Sequence, residues 1–173
     1  LSDSRTSLWI SKQVIICLEK LGISFIQLDE PAIPYYGISK KEEQLFIKSL
    51  RSVIPKEKKA TIAVHFYFGD AAKIVKWLSK IDIGIDAVGI DFIKTNLSAL
   101  PKRIPFVLIA GVIDGQNSLI EKEKDIIAFV RKLIKIYKPE VLYITHNASL
   151  ELLPEAIAAK KVAMLGTIQK KFS

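Results

Sequence analysis

The chain has 173 residues, half of them hydrophobic and a quarter charged, with a formal net charge of +8. That is one domain's worth of sequence with enough apolar material for a core, and no stretch reads as a membrane span or a signal peptide. The single cysteine, Cys17, excludes an internal disulfide and fits a reducing compartment, so a cytoplasmic protein is expected.

The first predicted element is a helix over 7–21, with Leu8, Ile15, Leu18 and Leu21 at helical spacing and Gly22 as its stop. Cys17 lies inside it and is expected to be buried. A strand follows over 24–29. Pro31 and Pro34 then bracket a loop with Tyr35 and Tyr36. A second helix is predicted over 39–54, capped by Ser39 with Glu42 in capping-box spacing, its apolar face formed by Leu45, Phe46, Leu50 and Val53. The second strand spans 60–68, and Asp70 is placed to cap a helix over 71–81. The third strand covers 86–93, and a short helix near 95–100 leads to the fourth strand over 106–112. A long helix over 118–137 has acids early and bases late, as the helix dipole prefers, with Asn117 as a candidate N-cap. The fifth strand is 141–145, and a last helix runs from Leu150 to the C-terminus with a break near Gly166.

Five apolar strands alternating with helices predict an α/β fold: a parallel sheet covered by helices. Five strands do not close a β/α barrel, which needs eight. The alternatives are an open doubly wound sheet or part of a barrel. The chain starts with Leu in mid-pattern, which suggests a fragment or a subunit that needs a partner. No linker, low-complexity segment or short repeat divides it.

The lysines at Lys40-Lys41, Lys56 to Lys59, Lys160-Lys161 and Lys170-Lys171 read as solvated helix ends and loops. No aromatic residues interleave with them as a stacking platform, so a nucleic-acid partner is not expected. A polyanionic small molecule is compatible with the same charge. Abundant Ile and Lys with scarce Cys and Met point toward a heat-adapted source.

Asp29, His65 and Asp91 fall near the ends of three successive strands. Asp29 can hold a substrate ammonium group by a charge-assisted hydrogen bond; equally, Asp29 or Glu30 can pair with a lysine or cap a loop amide. His65, Asp91 and His146 could form a metal triad, although Tyr67, two residues from His65, is a poor zinc ligand. The plainer reading is a hydrogen-bonded polar floor at the sheet mouth. Gly111 and Gly115 permit close backbone approach. No phosphate loop or nucleophile motif is present.

Several segments together resemble cobalamin-independent methionine synthase: Ile26-Gln-Leu-Asp-Glu-Pro-Ala32, Tyr67-Phe-Gly69, Gly89-Ile-Asp91, Ala110-Gly-Val-Ile-Asp-Gly-Gln-Asn117 and Asn147-Ala-Ser-Leu150. The resemblance runs from about residue 10 to the C-terminus and covers the second half of one barrel. It implies a single partial β/α barrel of the TIM-barrel family over residues 1–173. That family has a zinc-bearing catalytic barrel and a zinc-less N-terminal barrel that helps bind folate. Tyr67 and Ala148 stand where the catalytic barrel has cysteine ligands, Gln116 where it has a proton-donating histidine, and Tyr35 where it has a folate-contacting acid. Asp29 matches the position that holds the homocysteine amino group. The resemblance is therefore to the N-terminal type of barrel and implies no catalytic residue. It implies as partners a zinc-bearing catalytic chain or the missing barrel half, and a folate polyglutamate as ligand. Two further expectations stand beside it: a stand-alone methyltransferase with an altered metal site at His65, Asp91 and His146, or a repurposed barrel for another small anion.

Overall fold

The structure is a computed structural model describing the backbone of residues 2–172 and the side chains of residues 8–172. Residues 1 and 173, included in the expected domain span, lie outside the described residues.

The elements in chain order are α1 (Ser2–Lys20), β1 (Phe25–Glu30), α2 (Ala32–Tyr36), α3 (Lys40–Val53), β2 (Thr61–Phe66), α4 (Ala72–Leu78), β3 (Ala87–Asp91), a 3₁₀ turn (Leu97–Ala99), β4 (Val107–Ile113), α5 (Glu123–Tyr137), β5 (Leu142–His146) and α6 (Glu155–Gln169). All four strand pairings are parallel, and the strand order is the chain order, β1 to β5.

That order decides between the two predicted architectures. A doubly wound sheet reverses its strand order at a switch point and carries helices on both faces. Here the order never reverses, so right-handed crossovers put every connecting helix on one face. The burial pattern agrees. Ile26, Ile62, Val64, Phe66, Val88, Ile90 and Leu108 turn outward into the main core under the helices. The alternate residues turn inward, where Ala63, Ala87 and Ile109 form a separate small cluster. The sheet curls enough that Phe25 and Tyr143, from its two edge strands, bring their ring centroids within 5.7 Å. This is the curvature of a barrel wall.

Several boundaries differ from expectation for local reasons. The segment expected to be a loop after β1 forms the short α2, because Glu30 Oε1 accepts hydrogen bonds from the Ala32 and Ile33 amides at 2.9 and 3.0 Å. Ser39 does form the capping box of α3 with Glu42. The N-cap of α4 is Ala71; Asp70 instead accepts from the Ala72 amide. α5 starts at Glu123, and Asn117 caps only a turn by accepting from the Leu119 amide. α6 starts after Pro154, consistent with the bias of a residue preceding proline against helical backbone. It continues through Gly166, whose interior cost of about 1 kcal/mol does not interrupt it.

Four burial expectations are also corrected. Cys17 is exposed, because it lies about 200° around α1 from the buried Ile15. Leu21 and Leu45 are exposed rather than packed. Lys161, read as a solvated lysine, has no exposed surface at all.

Candidate functional site

The site lies at the C-terminal ends of the strands, where parallel β/α sheets present their chemistry. Strand register places Asp29 beside His65 and His65 beside Gly89. It also places Asp91 beside Gly111. These residues share the inward face.

His65 is 4% exposed. Its ring packs against Gly89 of β3, which leaves room by having no side chain: a Cβ there would sit 2.5 Å from the ring. Gln27 orients the group. Its amide nitrogen donates to Asp29 Oδ1 at 2.9 Å and reaches His65 Nδ1 at 3.4 Å. With Nδ1 accepting, the ring proton sits on Nε2, which is buried and has no partner. Burial pushes the His65 pKa down to about 4; Asp29 opposes this and His146 adds to it. His65 is therefore neutral at neutral pH.

Asp91 is fully buried. Its Oδ1 accepts from the Ile93 and Lys94 amides at 3.0 and 3.1 Å, which folds the turn after β3. Burial pushes its pKa up, while the Asn147 amide and the backbone amides of Lys94, Ile93 and Phe68 pull it back. Asp91 Oδ2 and Asn147 Nδ2 are buried but not in hydrogen-bonding geometry with any partner. The Asn147 carbonyl oxygen accepts from the Gly115 amide at 2.7 Å. His146 Nδ1 donates to the Ala148 carbonyl. The Tyr67 hydroxyl is pushed up by burial and by Asp29, Glu151 and Glu30.

Zinc in this setting would want three protein ligands. Among the described residues, no group of three or more His, Cys, Asp or Glu side chains is arranged to hold a metal ion. Asp29 and His65 meet through Gln27. Asp91 Oδ1 and His146 Nδ1 are committed to backbone groups. Tyr67 and Ala148 offer no thiolate. As arranged, these side chains do not converge into the three-ligand group that zinc would want.

Beside this floor lies an open cleft of about 570 Å³ lined by Pro31, Ala32, Tyr35, Tyr36, Phe68, Lys94 and Gln116. The Tyr35 and Tyr36 rings stand edge to face at 4.7 Å. Phe68 enters the lining through a left-handed backbone (φ 68°). The adjoining Gly69 is required there, since a Cβ would meet the Pro34 carbonyl at 2.2 Å. Sequence reasoning singled out Tyr35 and Gln116 only through the family resemblance, and missed Phe68 and Lys94. The Tyr-Phe-Gly sequence ending a strand was the available signal for Phe68.

A family model described as "Cobalamin-independent synthase, N-terminal domain" matches residues 6–138. The chain belongs to that family. Among relatives, a methionine synthase of Sulfolobus acidocaldarius is 28% identical over 88% of this chain and 44% of its own length. A 5-methyltetrahydropteroyltriglutamate–homocysteine methyltransferase of Lactococcus lactis subsp. cremoris is 31% identical over 58% of this chain and 14% of its own. A B12-independent methionine synthase structure from Shewanella, solved with selenomethionine, superposes with a TM-score of 0.74 at 21% identity, covering 94% of this chain and 53% of that one. This member of the cobalamin-independent synthase family thus spans about half the length of the methionine synthases it matches over most of its own. Its five-stranded parallel wall has the fold of the methionine synthase barrels. No helix among the described residues is long and apolar enough to cross a membrane.

Proposed function

We propose that this chain is a non-catalytic, folate-binding unit of cytoplasmic methionine biosynthesis: the second half of an N-terminal-type barrel, working beside a zinc-bearing catalytic chain. The observation that carries the reading is the pairing of two features. The mouth has a polar floor without thiolates, and next to it stands a cleft walled by Tyr35, Tyr36 and Phe68 with Lys94 at its side.

The cleft suits a planar heteroaromatic ring joined to carboxylates. Aromatic faces and edges take the ring, and the Lys94 ammonium and the +8 net charge favour the acidic tail. Asp29, held by Gln27 at the rim, is placed to accept a ligand ammonium or ring N–H. The floor offers no means of activating homocysteine. A thiol is a weak nucleophile at neutral pH until zinc or another device makes it a thiolate, and the described residues are not arranged to hold zinc.

The exposed inward side of β1 and the two unpaired sheet edges support a partner that completes the wall. The test is metal analysis with a methyl-transfer assay on the purified chain. The expected result is substoichiometric zinc and no homocysteine-dependent transfer from 5-methyltetrahydropteroyltriglutamate. Zinc near one equivalent together with transfer would establish the stand-alone methyltransferase instead.

A further inference from the structure

Lys161 sits on α6 at a position that the helix pattern reserves for an apolar residue, in line with Ile157, Met164, Leu165 and Ile168. Its ammonium is fully buried and makes three hydrogen bonds: to the Leu119 carbonyl at 2.8 Å and to both Glu121 carboxylate oxygens at 2.9 Å. Glu121 Oε1 in turn accepts from the Asp114 amide at 2.7 Å. Both ends of the irregular segment 114–121 therefore close on one ammonium group. Between them, the Gly115 amide is held by Asn147 and the Gln116 amide by Asp114 at 2.9 Å. Gln116 forms part of the cleft wall.

We propose that Lys161 is a positioning residue for the cleft, fixing loop 114–121 so that Gln116 faces the ligand. The effect on ligand rests on the cleft reading given above; the effect on the loop does not.

Helix packing alone does not account for a lysine here. A buried ion pair is commonly no better for stability than an apolar pair of the same volume. An apolar side chain, however, could not satisfy the Leu119 carbonyl, nor keep Glu121 on the Asp114 amide. Irregular backbone at a site needs its polar groups paired. The pair is thus matched to the loop.

The test uses the full chain as wild type, Lys161→Met, and Lys161→Met/Glu121→Leu, in which both charges are gone. Amide exchange at Asp114 and Gly115 is followed beside that of the sheet amides of Val64 and Ile90, which track global stability, and the ratio is taken between wild type and the double variant, whose global stability is matched. The expected loop-to-sheet ratio is about ten-fold or more above wild type in the double variant, even though that variant regains the wild-type urea midpoint. Tetrahydropteroyltriglutamate, added as a probe, should bind about ten-fold more weakly to both variants. If loop and sheet amides accelerate together in the double variant, or Asp114 keeps its slow exchange there, the positioning role is refuted. A wild-type chain that does not bind the probe overturns the folate reading alone, and the exchange ratio still decides the role of Lys161.

Discussion

Acidification from pH 7 to pH 4.5 should destabilise this chain in a way that depends on His65. The folded His65 has a pKa of about 4, against 6.5 for the free group, because burial penalises its charged form. The unfolded chain therefore binds a proton between those values that the folded chain does not. The sign follows: stability contributed by neutral His65 is present above pH 6.5 and is lost as pH falls toward 4. A gap of about 2.5 units at 1.36 kcal/mol each gives a limit of roughly 3 kcal/mol, of which roughly 2 is lost by pH 4.5. Asp91 works in the opposite direction, since its pKa is raised, and exposed carboxylates add their own terms. The His65→Gln variant isolates the effect. Urea unfolding of both proteins at pH 7 and pH 4.5 should show a wild-type loss larger by roughly 2 kcal/mol than the variant's. Equal losses, within about 0.5 kcal/mol, would refute the buried neutral histidine.

Two substitutions test the packing of the same floor. Gly89→Ala would put a Cβ 2.5 Å from the His65 ring and 2.9 Å from its Cβ, so it should cost about 1–3 kcal/mol in urea unfolding. It should also displace the His65 ring resonances in an NMR spectrum. Asn147→Ala removes the acceptor of the buried Gly115 amide, with an expected cost of about 1–3 kcal/mol, and Gly115 should lose its exchange protection first.

The strands were legible because they are nearly continuous apolar runs bounded by Pro, Gly or charge. Their sequential order was not, since nothing within one strand encodes its neighbours; the strand pattern alone left a doubly wound sheet and a barrel wall open, and the family resemblance was what favoured the barrel that the pairings then showed. Asp29, His65 and Asp91 were correctly placed at successive strand ends by the alternation of side chains. Their present partners were not legible. Gln27, which joins Asp29 to His65, looked like an ordinary strand residue, and Asp91 turned out to organise the turn at Ile93 and Lys94. Lys161 was misread because a Lys-Lys pair suggests solvent; the apolar spacing around it was the clue. Cys17 and Leu45 were misread in the opposite sense, since apolar character alone does not say which side of a helix meets the core.

The central claim is that the cleft beside a thiolate-free floor binds folate. Calorimetric titration of tetrahydropteroyltriglutamate into the full chain tests it, comparing wild type with Tyr35→Ala and Lys94→Glu. The account predicts saturable 1:1 binding by wild type, weakened about ten-fold by each substitution. No binding, or binding that neither substitution changes, would contradict it.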